Sequence, residues 1–288
     1  MNTPNKRLPA EWEPQSAILL TWPHTNTAFI DHVLLPMLST ICTCDYDSIR
    51  QYPANIIIDY LACGVAEEGV WKATHGVADI VARITQGYDI KTHSDIAQIE
   101  DTGSQVNLTL TNNEEYIFDH VVIATQPQHA GPMIAATQPE LADHFNQIEI
   151  ATSDMVVHRD STINPRPWQD TSPVCYSVDK DQQRPMATVC LNKSMSSVKN
   201  CLPVFQTWHP TKEICAKDIL ASVTFERPLI SFKALDHIKE IQTSMQKPNN
   251  RLWFCGSYLG GGIPLLEAGV RSSLRVANQL GINTPWQE

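Results

Sequence analysis

The chain has 288 residues, 42% of them hydrophobic and 18% charged, with a formal net charge of −10. That is chain enough for two domains or one large one, in the composition of an ordinary globular protein. The acidic balance and the lack of a basic stripe exclude nonspecific nucleic-acid binding, and no apolar run approaches the length that spans a bilayer.

Lys6 and Arg7 are followed by no apolar core, so a signal peptide is not expected and the chain reads as cytoplasmic. The eight cysteines are scattered, and Cys42 and Cys44 are the one close pair. No second pair stands at zinc-like spacing, so reduced, mostly buried thiols and no metal are expected.

Residues 8 to 24 stand apart from the rest of the chain. Leu8-Pro9-Ala10-Glu11-Trp12-Glu13-Pro14-Gln15-Ser16-Ala17 and Leu20-Thr21-Trp22-Pro23-His24 resemble the opening of the agmatine deiminase family. That resemblance implies a guanidine hydrolase with a nucleophilic cysteine. None of the eight cysteines stands in such a context, so the expectation is a borrowed arm, residues 1–28, without its catalytic body.

From Phe29 onward the apolar positions Ile49, Tyr52, Ile56, Ile57, Tyr60 and Leu61 suit packed helices, with Gly64 as a stop. Trp71-Lys72-Ala73-Thr74-His75-Gly76 leads into a helix over 77–85 carrying Ile80, Val81 and Ile84. A lone His75 at a helix start reads as a capping or surface group. Residues 88–93, 96–100, 106–110 and 116–118 read as strands, with a turn at Asn112-Asn113. The apolar run His120 to Thr125 is expected to lie in a parallel sheet, buried on both faces. Gln138-Pro139-Glu140-Leu141 starts a short helix, and Val174 to Leu191 supplies further strands. His158, His209 and His237 are far apart in sequence and read as structural histidines, not a metal triad.

The last patterned stretch is Arg251 to Gly281. A strand, Leu252 to Cys255, stops at Gly256, a loop holds Gly260, Gly261 and Gly262, and a helix runs from about Leu266 to Leu280. Its apolar stripe is expected to be Val270, Leu274, Ala277 and Leu280, with Gly281 as the stop. Strand, glycine-rich turn and helix bring backbone N–H groups and a positive helix end against an electron-rich ligand.

Trp253, Phe254, Cys255, Gly256, Gly260, Glu267, Gly269, Arg271 and Ser272 together resemble the C-terminal flavin motif of the FAD-dependent amine oxidase and phytoene desaturase superfamily. Phe29 to Met37, Asp119 to Thr125, and Met155 to Asp160 with Pro165, Arg166 and Trp168 resemble other segments of the same family. The resemblance implies an α/β, two-dinucleotide-binding-domain flavoprotein fold with an α+β substrate region, and FAD as cofactor. It places Gly256, Ser257, Gly260, Glu267, Gly269 and Val270 at the flavin, Thr125 at the end of the neighbouring strand, and the backbone of Ile96 at the adenine end. It further implies hydride transfer from a C–N or C–C bond of a small amine or lipid-like substrate, and leaves the catalytic residues unassigned. Ile263-Pro264-Leu265-Leu266 departs from the shorter, His-containing turn of the relatives.

Flavoproteins of this kind open with a βαβ unit carrying G-x-G-x-x-G and an acidic residue about 20 positions later. No G-x-G-x-x-G occurs between Met1 and Gly103. The expected fold therefore lacks its N-terminal Rossmann unit. It divides into the arm 1–28, a substrate domain 29–72 and 131–250, and a partial FAD-binding domain 73–130 and 251–283. Three functional readings result: a truncated FAD-dependent oxidoreductase with a partner chain supplying the missing half, an agmatine deiminase-like hydrolase, or a catalytically silent fusion remnant.

Overall fold

The computed structural model describes residues 29–62, 73–164, 166–178 and 183–283. The deiminase-like arm, Gly64, Trp71, Lys72 and Pro165 lie outside the described residues.

A π-helical turn, Ile30–Leu34, runs into α1 (Leu35–Cys42), with Pro36 in the first turn where its missing N–H costs nothing. Thr43 ends α1 in the left-handed conformation, φ 58°. Asp45 then caps α2 (Tyr46–Arg50), its Oδ1 accepting from the Ser48 amide at 2.7 Å. Leu38, Cys42, Ile49, Tyr52 and, from α3 (Ala54–Ala62), Ile56 and Ile57 enter the main core. This is the packed helical region expected from the apolar spacing, with Tyr60 partly buried against the core, but Leu61 near the end of α3 is exposed and does not pack as expected. By contrast, α4 (Val77–Ile84) exposes Val77, Ile80, Val81 and Ile84.

The strand expected at Tyr88 to His93 is irregular chain. His93 sits at φ 57°, which interrupts an extended run, and pairing begins only at Ile96. From there β1 (Ile96–Asp101), β2 (Val106–Leu110) and β3 (Glu115–Phe118) form an antiparallel meander, with the Asn112-Asn113 turn as expected and Asn113 at φ 66°. β4 (Val121–Ile123), α5 (Pro127–Ile134) and α6 (Pro139–Asn146) follow.

Next come β5 (Ile150–His158), β6 (Val174–Ser177), β7 (Met186–Cys190), β8 (Phe205–Trp208) and β9 (Ile219–Pro228). They form one antiparallel sheet in the order β6-β7-β8-β5-β9. Strand β5 serves two cores: Ala151 joins the main one, while Val156 packs with Ile163, Met186 and Ile214. Inside the sheet His158 is fully buried, its Nε2 at 2.7 Å from Thr207 Oγ1, which is 3.0 Å from Thr188 Oγ1. Burial pushes the His158 pKa down, against the opposing pull of the Asp160 carboxylate. The edge strand β9 exposes Ile219, Leu220, Val223 and Phe225.

The chain closes with α7 (Phe232–Ser244), N-capped by Ser231, then β10 (Leu252–Phe254) and α8 (Leu266–Gln279). Strand β10 lies parallel to β4, pairing Leu252, Trp253 and Phe254 with Val121, Val122 and Ile123. Among the described residues β4 has no second neighbour, so Val122 is 45% exposed and the expectation of a strand buried on both faces is corrected. The stripe expected on α8 is also shifted. Ala268, Ser272 and Val276 are the buried residues, four apart, while Val270 is 42% exposed. Periodicity alone overlooks Ser272 because a hydroxyl is not an apolar marker; its hydrogen bonds make burial tolerable.

Phe145 of α6 and Phe254 of β10 meet with ring centroids 4.9 Å apart, and Tyr258 approaches Phe145 edge-on at 6.4 Å. Phe145 is fully buried at the centre of this contact. Its truncation, Phe145→Ala, is expected to cost about 3–5 kcal/mol. Urea denaturation monitored by circular dichroism measures it, and a loss below about 1 kcal/mol would show that α6 and β10 do not share one core.

Candidate active site

Parallel pairing brings the C-terminal ends of β4 and β10 to the same place. Cys255 N–H donates to the Ile123 carbonyl at 3.1 Å, and one chain then runs through Ala124 to Thr125 while the other reaches Gly256. Gly256 has φ 153°, a conformation that only glycine adopts without strain. A Cβ there would stand 2.8 Å from the Tyr258 ring and 3.7 Å from the Thr125 carbonyl.

The turn is fastened to α8 by Ser272, which is 3% exposed. Its Oγ accepts from the Gly256 N–H at 2.9 Å, and its own proton is placed between the Gly256 carbonyl at 2.9 Å and the Gly269 carbonyl at 2.8 Å. Ser257–Leu259 then forms a 3₁₀ turn whose Leu259 carbonyl accepts from Gln242 Nε2 at 3.1 Å and from Arg275 Nη2.

Gly260 is held by packing. A Cβ on it would lie 1.8 Å from the Ala268 carbonyl oxygen, so backbone meets backbone at that point. The following glycines differ: Gly261 and Gly262, at φ 80° and 78°, have nothing within 4 Å of a built Cβ and leave their backbone open. Gly269, in the first turns of α8, is 3.9 Å from the Ser257 nitrogen by the same measure. The N-terminus of α8 has no side-chain cap, and Leu265 stands at the N-cap position.

Of the residues singled out from the sequence, Thr125, Gly256, Ser257, Gly260, Glu267, Gly269 and Val270 therefore gather around the ends of β4 and β10 and the start of α8. Ile96 does not join them. It pairs with Leu110 in the meander, and its side chain packs against the main core. Glu267 is spent on an exposed ion pair with Arg271 at 3.2 Å, worth under about 1 kcal/mol. His75 is exposed ahead of α4. His209 follows β8 at φ 49°, and its pKa is lowered by burial, while His237 contacts His144.

Three features lie beyond the reach of the sequence pattern. The Thr125 hydroxyl is buried without a partner among the described residues. Gln126 and Gln128 reach across to β9, Gln126 Nε2 donating to the Glu226 carbonyl at 3.3 Å and Gln128 Nε2 to its Oε2 at 3.0 Å. Gln128 Oε1 is buried and unpartnered. The third is the Ser272 fastening; its signal is present, since Ser272 belongs to the flavin-like motif, but the pattern does not say what the hydroxyl holds. Burial pushes up the pKa of Cys255 and of Tyr258, so both stay protonated and neither is poised as a base or nucleophile.

Removing the fastening, Ser272→Ala, strands the Gly256 amide and is expected to cost about 1–3 kcal/mol. Gly260→Ala forces two backbones apart and is expected to cost about 3 kcal/mol. Chemical denaturation of both variants checks this, and a Gly260→Ala protein as stable as the parent would contradict the packed-backbone assignment.

The profile of the family described as flavin containing amine oxidoreductase matches residues 10–174, more than half of the chain. The match runs through most of the deiminase-like stretch and ends before β10 and α8. No curated protein matches the chain. In fold the chain is similar to a crystal structure from Exiguobacterium sp. 255-15 described as a protoporphyrinogen oxidase, with a TM-score of 0.55 and 11% identity. That likeness covers 88% of this chain and 64% of the other, so this chain spans under two thirds of that protein's length. At such low identity the likeness is one of architecture. With more than half of its length matched by the family profile, the chain belongs to the flavin-containing amine oxidoreductase family.

Proposed function

We propose that the chain is an FAD-dependent oxidoreductase of the amine oxidase type, acting on a small amine or lipid-like molecule in the cytoplasm. One observation carries this reading. Thr125, with a buried hydroxyl lacking a partner among the described residues, stands against Gly256 where two parallel strands end, and the loop beyond keeps the backbone of Gly261 and Gly262 open.

When bound, FAD supplies a two-electron oxidation in which hydride leaves a C–N or C–C bond of the substrate. The residues of the chain bind and orient. Gly256, Ser257 and Gly269 offer a surface with no side chain larger than a hydroxymethyl group, and the half-exposed Val270 gives it an apolar border. The Thr125 hydroxyl offers a hydrogen bond to a polar edge, and the uncapped start of α8 contributes positive potential. Gly260 closes the loop and Glu267 stands in the first turn of α8, while the backbone of Ile96 is assigned to the adenine end. Gln128 and Glu226 tie the strand end to the five-stranded sheet that forms part of the substrate region.

The residues present thus fit the ring end of the cofactor. The pyrophosphate end has no G-x-G-x-x-G between Met1 and Gly103, so weakened affinity belongs to the proposal, with a partner chain bearing that unit restoring it. The proposed units are the arm 1–28, the substrate region 29–72 and 131–250, and the partial cofactor region 73–130 and 251–283. The exposed Val77, Ile80, Val81, Ile84 and Val122 favour a second reading, a catalytically silent remnant that keeps the fold and shows apolar surface to solvent.

An absorbance scan of the purified chain, with and without added FAD, separates the two. The expected result is a flavin band near ~450 nm that survives gel filtration and is weakened by Thr125→Val. No band, together with no rise in melting temperature at excess FAD, would overturn the oxidoreductase reading and leave the silent one.

A further inference from the structure

Outside the candidate active site, two histidines meet across a pair of helices through their Nδ1 atoms. His144 on α6 and His237 on α7 place their Nδ1 atoms 3.0 Å apart, with ring centroids 5.3 Å apart and planes at 51°. Both side chains are partly buried, and the helices beneath them are anchored by Ala142, Phe145, Ala234, Ile238 and Ile241 in the main core. One turn along, Lys233 Nζ donates to Gln147 Oε1 at 2.9 Å, so the two helices run antiparallel and are tied on one side of the contact.

As a hydrogen bond, the pair requires one ring to carry its proton on Nδ1 and the other to leave Nδ1 bare. A metal ion removes that requirement, because two bare Nδ1 atoms then converge on one cation. Zinc–imidazole bonds of about 2.0–2.1 Å in tetrahedral geometry put two ligand nitrogens roughly 3.3 Å apart. The observed spacing is within a few tenths of an ångström of that. Among the described residues no third histidine, cysteine, aspartate or glutamate completes a cluster, so water fills the remaining positions. The neighbouring charges are mixed. Lys233, one turn before His237, opposes a cation, while Glu240, one turn after it, and Glu140, one turn before His144, favour one.

We propose that His144 and His237 bind one divalent transition-metal ion through their Nδ1 atoms, stapling α6 to α7. Imidazole donors with open aquo positions suit Zn²⁺ and Cu²⁺, not Mg²⁺ or Ca²⁺. The site is independent of flavin binding.

The test uses the full chain, stripped with chelator and titrated calorimetrically with ZnCl₂, then loaded with one equivalent of Cu²⁺ for electron paramagnetic resonance. One ion per chain is expected, with hyperfine structure from two nitrogens. His144→Ala and His237→Ala should each weaken zinc binding at least about tenfold, and His209→Ala should leave it unchanged. Zinc at 100 times the parent's Kd should raise the melting temperature of the parent by about 5 °C and that of each variant by about half as much or less. Should the alanine variants fold poorly, His144→Gln and His237→Gln keep the helix contact and remove the ligands. Zinc binding of equal strength in parent and variants, or a copper spectrum dominated by sulfur, would assign the ion to other groups and overturn the proposal.

Discussion

The parallel contact between β4 and β10 is the constraint on which the rest of the structure depends. Two three-residue strands far apart in the chain meet in register, and between them runs everything from α5 to α7. Parallel strands cannot be joined by a hairpin and need a long crossover; here the crossover carries an entire five-stranded sheet. The cost of closing so long a loop rises only logarithmically with its length. Ser272 then converts the meeting of strand ends into a fixed site by satisfying the amide of Gly256, which no strand partner reaches.

Two cores share the load unevenly. The main core takes the helical cap, the β4–β10 pair, α6, α7 and α8, whereas the second holds Val156, Ile163, Met186 and Ile214. Strand β5 belongs to both, and the Gln128–Glu226 contact adds a polar tie from the end of β4 to β9. The five-stranded sheet is thus tied to the candidate site through the shared strand β5 and through Gln126 and Gln128, both of which reach Glu226.

Much of this is legible in the sequence. The glycine punctuation of Arg251 to Gly281 marks strand, loop and helix, and Gly281 does end α8. The Asn112-Asn113 turn and the strands of the 174–191 region are equally readable, because local backbone chemistry sets them. What is not legible depends on partners distant in the chain. Val122 looks like the middle of a buried strand, yet burial is decided by neighbours the residue itself does not encode. Tyr88 to His93 carries strand-like residues, and a left-handed His93 undoes them. Within the site, the glycines can be found from sequence but not sorted: only the structure separates Gly260, pressed on Ala268, from Gly261 and Gly262, where an added Cβ would meet nothing. The orphaned Thr125 hydroxyl and the histidine pair arise from tertiary juxtaposition, and no spacing rule announces either.

The contact between Gly260 and Ala268 has a consequence for how this family member can diverge. It pins the start of the loop, beyond which Gly261 is exposed and Ile263 returns to the main core. Doubling the length of such a loop costs only about 0.6 kcal/mol, whereas any side chain at position 260 must displace backbone. Insertions are therefore accommodated at the Gly261-Gly262 tip, while Gly260 on one side and the buried Ile263 and Pro264 on the other stay constrained. Ile263 and Pro264 lie outside that tip, buried where a change of size is felt by the packing around them.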